Sequence, residues 1–107
     1  MIRVQDQGGA RVLVLDRADK ANALTQDMLA ALDAAVAQAA ADGVAVLVLT
    51  GAGRVFSAGA DLDGMAQGLG HAPEWEVLSG RIAAYPGLTV AALNGTLAGG
   101  AFGMALA

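Results

Sequence analysis

Val44-Ala45-Val46-Leu47-Val48-Leu49-Thr50-Gly51-Ala52-Gly53-Arg54-Val55-Phe56-Ser57-Ala58-Gly59-Ala60-Asp61 begins as an unbroken apolar run and ends as a loop of small residues. Residues 44–50 lack polar alternation, the pattern of a strand covered on both faces. Thr89-Val90-Ala91-Ala92-Leu93 repeats the design, predicting a second buried strand, then a loop over Asn94–Gly100 and a helix beginning near Gly99–Ala101. Small side chains let a ligand approach the main chain, and a helix start presents unpaired N–H groups in a partly positive field. Two such amides, at Ala60 and Gly100, form a candidate oxyanion hole. Each donor aimed at charge developing on a carbonyl oxygen is worth on the order of a few kcal/mol. Either loop alone reads better as a tight connection in an alanine-rich α/β protein, because isolated glycine patterns are common, and it is the pair that points to a site.

On the amino-terminal side, residues 2–5 and 11–16 predict two strands joined at Gly8-Gly9. A polar loop through Asp16–Asn22 leads to Thr25, an expected N-cap with Asp27 in the first turn. The helical spacing of Met28, Leu29, Leu32 and Val36 predicts a helix to about Ala41, stopped by Gly43. Residues 61–68 and 74–84 predict short helices around a 68–73 loop. Strands alternating with helices give the α/β class. The last helix meets no capping glycine or proline before Ala107. Residues 1–107 are therefore expected to be the amino-terminal part of a single domain, cut inside an element and unstable without the helices that would cover its sheets.

Composition narrows the classes. The chain has 107 residues, 56% hydrophobic and 15% charged, which suits one folded domain and excludes disorder. A net charge of −4 with no basic cluster argues against a nucleic-acid partner. The absence of cysteine excludes disulfides and thiolate catalysis. The start has no apolar leader, so a cytoplasmic location is expected. Ile82–Ala107 carries no charged side chain, and Gly95, Gly99 and Gly103 lie at GxxxG spacing. A membrane-anchored dimerising helix is the literal reading. Pro86, Asn94-Gly95 and Gly99-Gly100 interrupt it, so no membrane partner is expected.

Other chemistries lack their residues. Gly51-Ala52-Gly53-Arg54-Val55-Phe56 misses the third glycine of a dinucleotide fingerprint, and Ser57 has Val55 where a nucleophile elbow needs glycine. His71, the only histidine, lies in a loop, so no metal site is expected. Asp61, Asp63, Glu74, Glu76 and Arg81 read as solvated or capping charges.

The segment from Val46 to Leu62 resembles the first signature of the enoyl-CoA hydratase/isomerase (crotonase) family, and Val90–Ala107 looks like its second. Asp16-Arg17-Ala18-Asp19-Lys20-Ala21-Asn22-Ala23-Leu24 is similar to the weaker segment after the first hairpin. The resemblance implies a crotonase-like spiral of β-β-α turns, of which this chain would be roughly the first half. It implies a thioester oxygen of an acyl-CoA held between the N–H groups of Ala60 and Gly100. The Ala58 carbonyl would read the adenine amino group, and Ala21, Asp61 and Leu62 would line the CoA, with Lys20 a candidate phosphate contact. Coenzyme A would enter as part of the substrate, with no separate cofactor, and the full-length protein would be a homotrimer or hexamer.

One departure stands out. Two-carboxylate hydratases of the family carry a glutamate three residues after the oxyanion-hole glycine, and this sequence has Gly103 there. Gly103 can be neither general acid nor general base. The resemblance thus implies an isomerase or another one-base reaction more readily than hydration by two glutamates, with the base beyond residue 107. A non-catalytic acyl-CoA-binding homologue remains the alternative.

Overall fold

Gly8 and Gly9, with φ of 55° and 89°, supply the positive dihedrals of a tight hairpin turn. The turn joins β1 (Ile2–Gln7) to β2 (Ala10–Leu15), paired antiparallel with Ile2 opposite Leu15. The computed structural model describes residues 1–97 and 100–107. Helix α1 (Gln26–Ala41) opens as expected, with the Thr25 hydroxyl accepting from the Met28 N–H at 3.1 Å. It closes at Gly43, whose φ of 71° turns the chain so that the Val44 N–H reaches the Ala39 carbonyl.

The chain then alternates between two ladders. Strand β3 (Val46–Gly51) lies parallel to β2, and β5 (Leu88–Ala91) lies parallel to β3, giving the order β1-β2-β3-β5. Parallel neighbours need crossovers. Helix α1 supplies the first; β4 (Val55–Ser57), α2 (Leu62–Ala66) and α3 (Glu74–Ala83) supply the second. Strand β6 (Thr96–Leu97) pairs in parallel with β4 in a separate small ladder, and α4 (Gly100–Ala105) follows. The order is thus strand, strand, helix, repeated along the chain. Each later turn sends one strand to the large sheet and one to the small ladder.

Period-two and period-3.6 patterns meet in one core. Leu13 and Leu15 of β2 and Leu47 and Leu49 of β3 face Met28, Leu29, Leu32 and Val36 of α1, with Leu78, Ile82 and Met104 completing the cluster. Each such side chain contributes about 1.5–3 kcal/mol when fully buried.

Three expectations need correction. Strand β3 starts at Val46, and only Leu47 and Leu49 are buried, while Val46 and Val48 are half-buried. The strand expected over 89–93 occupies Leu88–Ala91 and is not buried: Leu88 is 61% and Val90 38% exposed. It lies at the edge of the sheet, so β3 shields it on one side only. Strands β4 and β6 fall within segments read as loops, because runs of three and two residues carry no periodicity to detect. The stretch read literally as a membrane helix contains β6 and the short α4, and Gly99 lies outside the described residues. Among the described residues no helix is long and apolar enough to cross a membrane.

Candidate functional site

Two loops meet beside the small ladder. The Leu24 N–H donates to the Gly59 carbonyl at 2.7 Å, and the Asp61 N–H donates to the Leu24 carbonyl at 2.8 Å. This is a parallel bridge centred on Leu24 and Ala60. In such a bridge the central residue of the second segment uses neither of its own groups. The Ala60 N–H therefore faces away from Leu24, and no acceptor for it occurs among the described residues. The Ala58 N–H donates to the Ala21 carbonyl at 3.0 Å, extending the contact along residues 21–24 and 58–61.

Asn22 holds this contact from inside. It is fully buried and has φ of 51°, a left-handed conformation that asparagine tolerates better than most residues. Its Oδ1 accepts from the Arg17 N–H at 2.8 Å, and its Nδ2 donates to the carbonyls of Ala52 and Val55 at 2.9 and 2.8 Å. Ser57, also buried, donates its hydroxyl to the Asn22 carbonyl and accepts from the Gly59 N–H. Both capacities of that hydroxyl are thus engaged in shaping the loop, as suits a residue that is a poor nucleophile candidate.

An ion pair anchors the far end. Arg17 Nη1 donates to Asp61 Oδ1 at 2.8 Å and to the Ala23 carbonyl at 2.9 Å. Asp61 Oδ2 accepts from the Gly64 N–H, capping α2. Both side chains are mostly shielded, at 18% and 16% exposure. The Arg17 hydrogen bond, helped by that of Gly64, holds the Asp61 carboxyl below the usual carboxylate range. It therefore stays ionised at neutral pH.

The second loop is tied to the first by Asn94. Its Oδ1 accepts from the Gly51 N–H at 3.1 Å, and its Nδ2 donates to the carbonyls of Gly53 and Val55. Gly95 follows where β6 approaches β4 so closely that an added Cβ would collide with the Arg54 carbonyl oxygen. Gly95→Ala is expected to push the strands apart and to cost about 1–3 kcal/mol, the usual range for overpacking. A lowered urea midpoint of the intact protein checks it. Ser57 pairs with Leu97 in this ladder. Parallel strands leave a ladder at the same end, so the segments that follow Ser57 and Leu97, and lead on to Ala60 and Gly100, start out side by side.

The predicted site residues divide into two groups. Lys20 is exposed at the end of a 3-10 turn, and Ala21, with φ of 52°, follows it against Ala58. Leu62 opens α2 and is 85% exposed. Lys20, Ala21, Ala58, Ala60, Asp61 and Leu62 therefore share one surface, although the Asp61 carboxylate is already bonded to Arg17 and Gly64. Gly100 is the first residue of α4, where N–H groups have no partner within the helix, and Gly103 lies one turn on. Ala98 and Gly99, in the loop before it, lie outside the described residues.

The remaining candidates stay apart. His71 is exposed in a 3-10 turn, and no metal-binding cluster occurs among the described residues. Arg81 pairs with Asp33 across α3 and α1. Glu74 accepts from Gln26 Nε2, which draws its carboxyl below the usual range and makes it a weak base. A cleft of about 470 Å³ beside α2 is lined by Asp27, Asp61 and Asp63 as well as Thr25 and Gln67, an acidic surround that repels phosphate. Arg17, Asn22, Ser57 and Asn94 carry no site role in the sequence reading. Ser57 and Asn94 carry one visible signal, a polar residue near a glycine in an otherwise apolar or small-residue segment, whereas Arg17 and Asn22 sit in the polar 16–22 loop and carry none.

Known proteins match the chain in sequence and in fold. A family profile described as enoyl-CoA hydratase/isomerase matches residues 5–107. A Rhodobacter capsulatus protein described as "Probable enoyl-CoA hydratase" is 40% identical over 111 residues, covering 99% of this chain and 43% of that protein. A solved structure of an enoyl-CoA hydratase/isomerase family member overlays with a TM-score of 0.89 at 32% identity, over 98% of this chain and 43% of that one. The Bacillus anthracis enoyl-CoA hydratase structure gives 0.86 at 28% identity, over 98% and 44%. The chain spans less than half the length of these relatives, and over that span it has their α/β architecture. With the family profile matched along nearly all of its length, the chain belongs to the enoyl-CoA hydratase/isomerase family.

Proposed function

We propose that the protein is an acyl-CoA enzyme that stabilises enolate-type charge on a thioester oxygen through the N–H groups of Ala60 and Gly100. The observation that carries this reading is the parallel β4–β6 pairing, which directs the segments leading to these two residues out of the same end of one ladder. Two donors converging on one oxygen acidify the α-carbon and make the β-carbon of an enoyl group electrophilic. Hydration, double-bond shift and cleavage next to the carbonyl all use that polarisation, so the base decides the reaction. The exposed Lys20 offers charge to a CoA phosphate, and the Ala58 carbonyl, Ala21 and Leu62 offer contacts to the rest of the carrier. Relatives described as enoyl-CoA hydratases support the substrate class.

Gly103 limits the chemistry. One helical turn from Gly100, it carries no carboxylate to donate or accept a proton. A one-base reaction such as double-bond isomerisation therefore fits better than two-glutamate hydration. The same glycine favours, as second reading, a homologue that binds acyl-CoA without turnover.

A panel of enoyl-, 3-enoyl- and hydroxyacyl-CoA thioesters, assayed on the intact protein and on Gly103→Glu, separates these readings. Wild type is expected to isomerise a 3-enoyl thioester and to hydrate a 2-enoyl thioester poorly. The variant is expected to gain hydration by roughly 10²-fold or more, the usual worth of a positioned general acid or base. Saturable binding with no conversion of any thioester would replace the enzyme by the binding protein.

A further inference from the structure

We infer that the Arg17–Asp61 ion pair positions the Ala60 N–H for thioester polarisation, making Arg17 a positioning residue. The inference rests on the oxyanion reading of Ala60 and goes beyond it to the device that aims the amide.

The Ala60 N–H lies in the peptide plane of the Gly59 carbonyl and points opposite to it, so its direction is set by that plane and by the next one. On one side the Gly59 carbonyl accepts from Leu24; on the other the Asp61 N–H donates to Leu24. Both bonds end on a single residue, so beyond the Ser57–Gly59 and Ala58–Ala21 bonds the aim of the 59–61 segment depends on how firmly Leu24 and Asp61 are held. Arg17 holds both. One guanidinium nitrogen, Nη1, grips the Ala23 carbonyl, directly before Leu24, and the Asp61 carboxylate. Asp61 in turn grips the Gly64 N–H, so the first turn of α2 is locked to the same point.

The base of this clamp is rigid. The Arg17 N–H donates to the buried Asn22 side chain, which also binds the carbonyls of Ala52 and Val55 at the two ends of the β3–β4 connection. Two consecutive left-handed residues, Ala21 and Asn22, bring the chain around so that the Ala23 carbonyl and the Asp61 carboxylate meet the same guanidinium nitrogen. Alanine has no local reason to adopt that conformation, and such strain persists where surrounding contacts impose it. A guanidinium suits the task because its planar fork can serve two acceptors at fixed angles, whereas an ammonium is a point charge.

Asp61 also separates the clamp from the ligand. Its carboxylate is committed to Arg17 and Gly64, so loss of Arg17 removes no direct ligand contact. The predicted effect lies in orientation: ground-state binding survives and carbonyl polarisation falls. Misplacement of a catalytic group by about 1 Å costs up to roughly 10²-fold in rate.

The test uses the intact protein with a 2,4-dienoyl-CoA carrying a 13C-labelled thioester carbonyl, followed by difference infrared spectroscopy. Bound to wild type, the C=O stretch is expected to move to lower frequency. In Arg17→Gln at least half of that displacement should vanish, with Kd changed less than about threefold and kcat lowered roughly 10- to 100-fold. Arg17→Lys should recover only part of it. Asp61→Asn, which keeps a capping oxygen for Gly64 but loses the charge, should reproduce the Arg17→Gln spectrum and provides the test should that variant fail to fold. Combining the two should add little to either. A full displacement in folded Arg17→Gln or Asp61→Asn overturns the positioning role and leaves the oxyanion hole standing. No displacement in wild type overturns the hole itself and the positioning role with it.

Discussion

Gly100→Pro is expected to lower kcat by roughly 10²–10³-fold, the usual loss when one donor of an oxyanion hole is removed. Proline suits the experiment because Gly100 is the first residue of α4. At that position a helix tolerates the fixed φ of proline, and the missing N–H has no partner within the helix. The substitution therefore deletes the proposed donor while sparing the helical hydrogen bonds. Affinity for free coenzyme A should stay within a few-fold of wild type, since the carrier contacts are proposed at Lys20, Ala21, Ala58 and Leu62 rather than at Gly100. Steady-state kinetics with whichever thioester the wild type converts, together with a far-ultraviolet spectrum, decide the matter. Unchanged turnover in a folded variant would remove Gly100 from the oxyanion hole.

The second large effect concerns stability. Asn22→Ala is expected to cost about 3–5 kcal/mol. The substitution leaves the Arg17 N–H and the Ala52 carbonyl without their buried partners, although Val55 keeps the Asn94 side chain as a second donor. It also places a Cβ-bearing residue without polar compensation at φ of 51°. Asn22→Gly distinguishes these contributions. Glycine accepts the left-handed backbone and loses the same hydrogen bonds, so it should be about 1 kcal/mol less damaging than alanine. Urea unfolding of the intact protein measures both variants. A cost below about 1 kcal/mol for Asn22→Ala would mean that water or a relaxed loop replaces the lost bonds.

Long, periodic segments are legible in the amino-acid sequence alone. Thr25, the Met28–Val36 stripe and Gly43 each carry a local cause, respectively a cap, a buried face and a left-handed stop, and α1 begins and ends where they place it. The hairpin at Gly8-Gly9 is as local. Strand β5 illustrates the limit. Its apolar run is real, yet burial depends on what lies beside it, and at a sheet edge Leu88 and Val90 are left exposed. Strands β4 and β6 show another limit, since three- and two-residue strands exist only because each finds the other across about forty residues of chain.

The candidate site divides along the same line. The small-residue loops after two apolar runs have a local meaning in the linear sequence, and the family resemblance singles out Ala60, Gly100 and the bare position at Gly103 within them. The clamp around them could not. Arg17 and Asp61 are 44 positions apart, and Asn22 reaches Ala52 and Val55 across 30 and 33. A polar side chain in a loop has many possible partners, and only the parallel pairing of successive β-β-α turns selects among them. By itself, then, the sequence determined the hairpin, the long helix and the absence of a carboxylate at 103. The tertiary structure alone decided that the two loops leave one ladder at the same end, and that Arg17, Asn22 and Asp61 hold the first of them. Backbone conformation follows from near neighbours, whereas the aim of an amide is settled by hydrogen bonds between segments far apart in the chain.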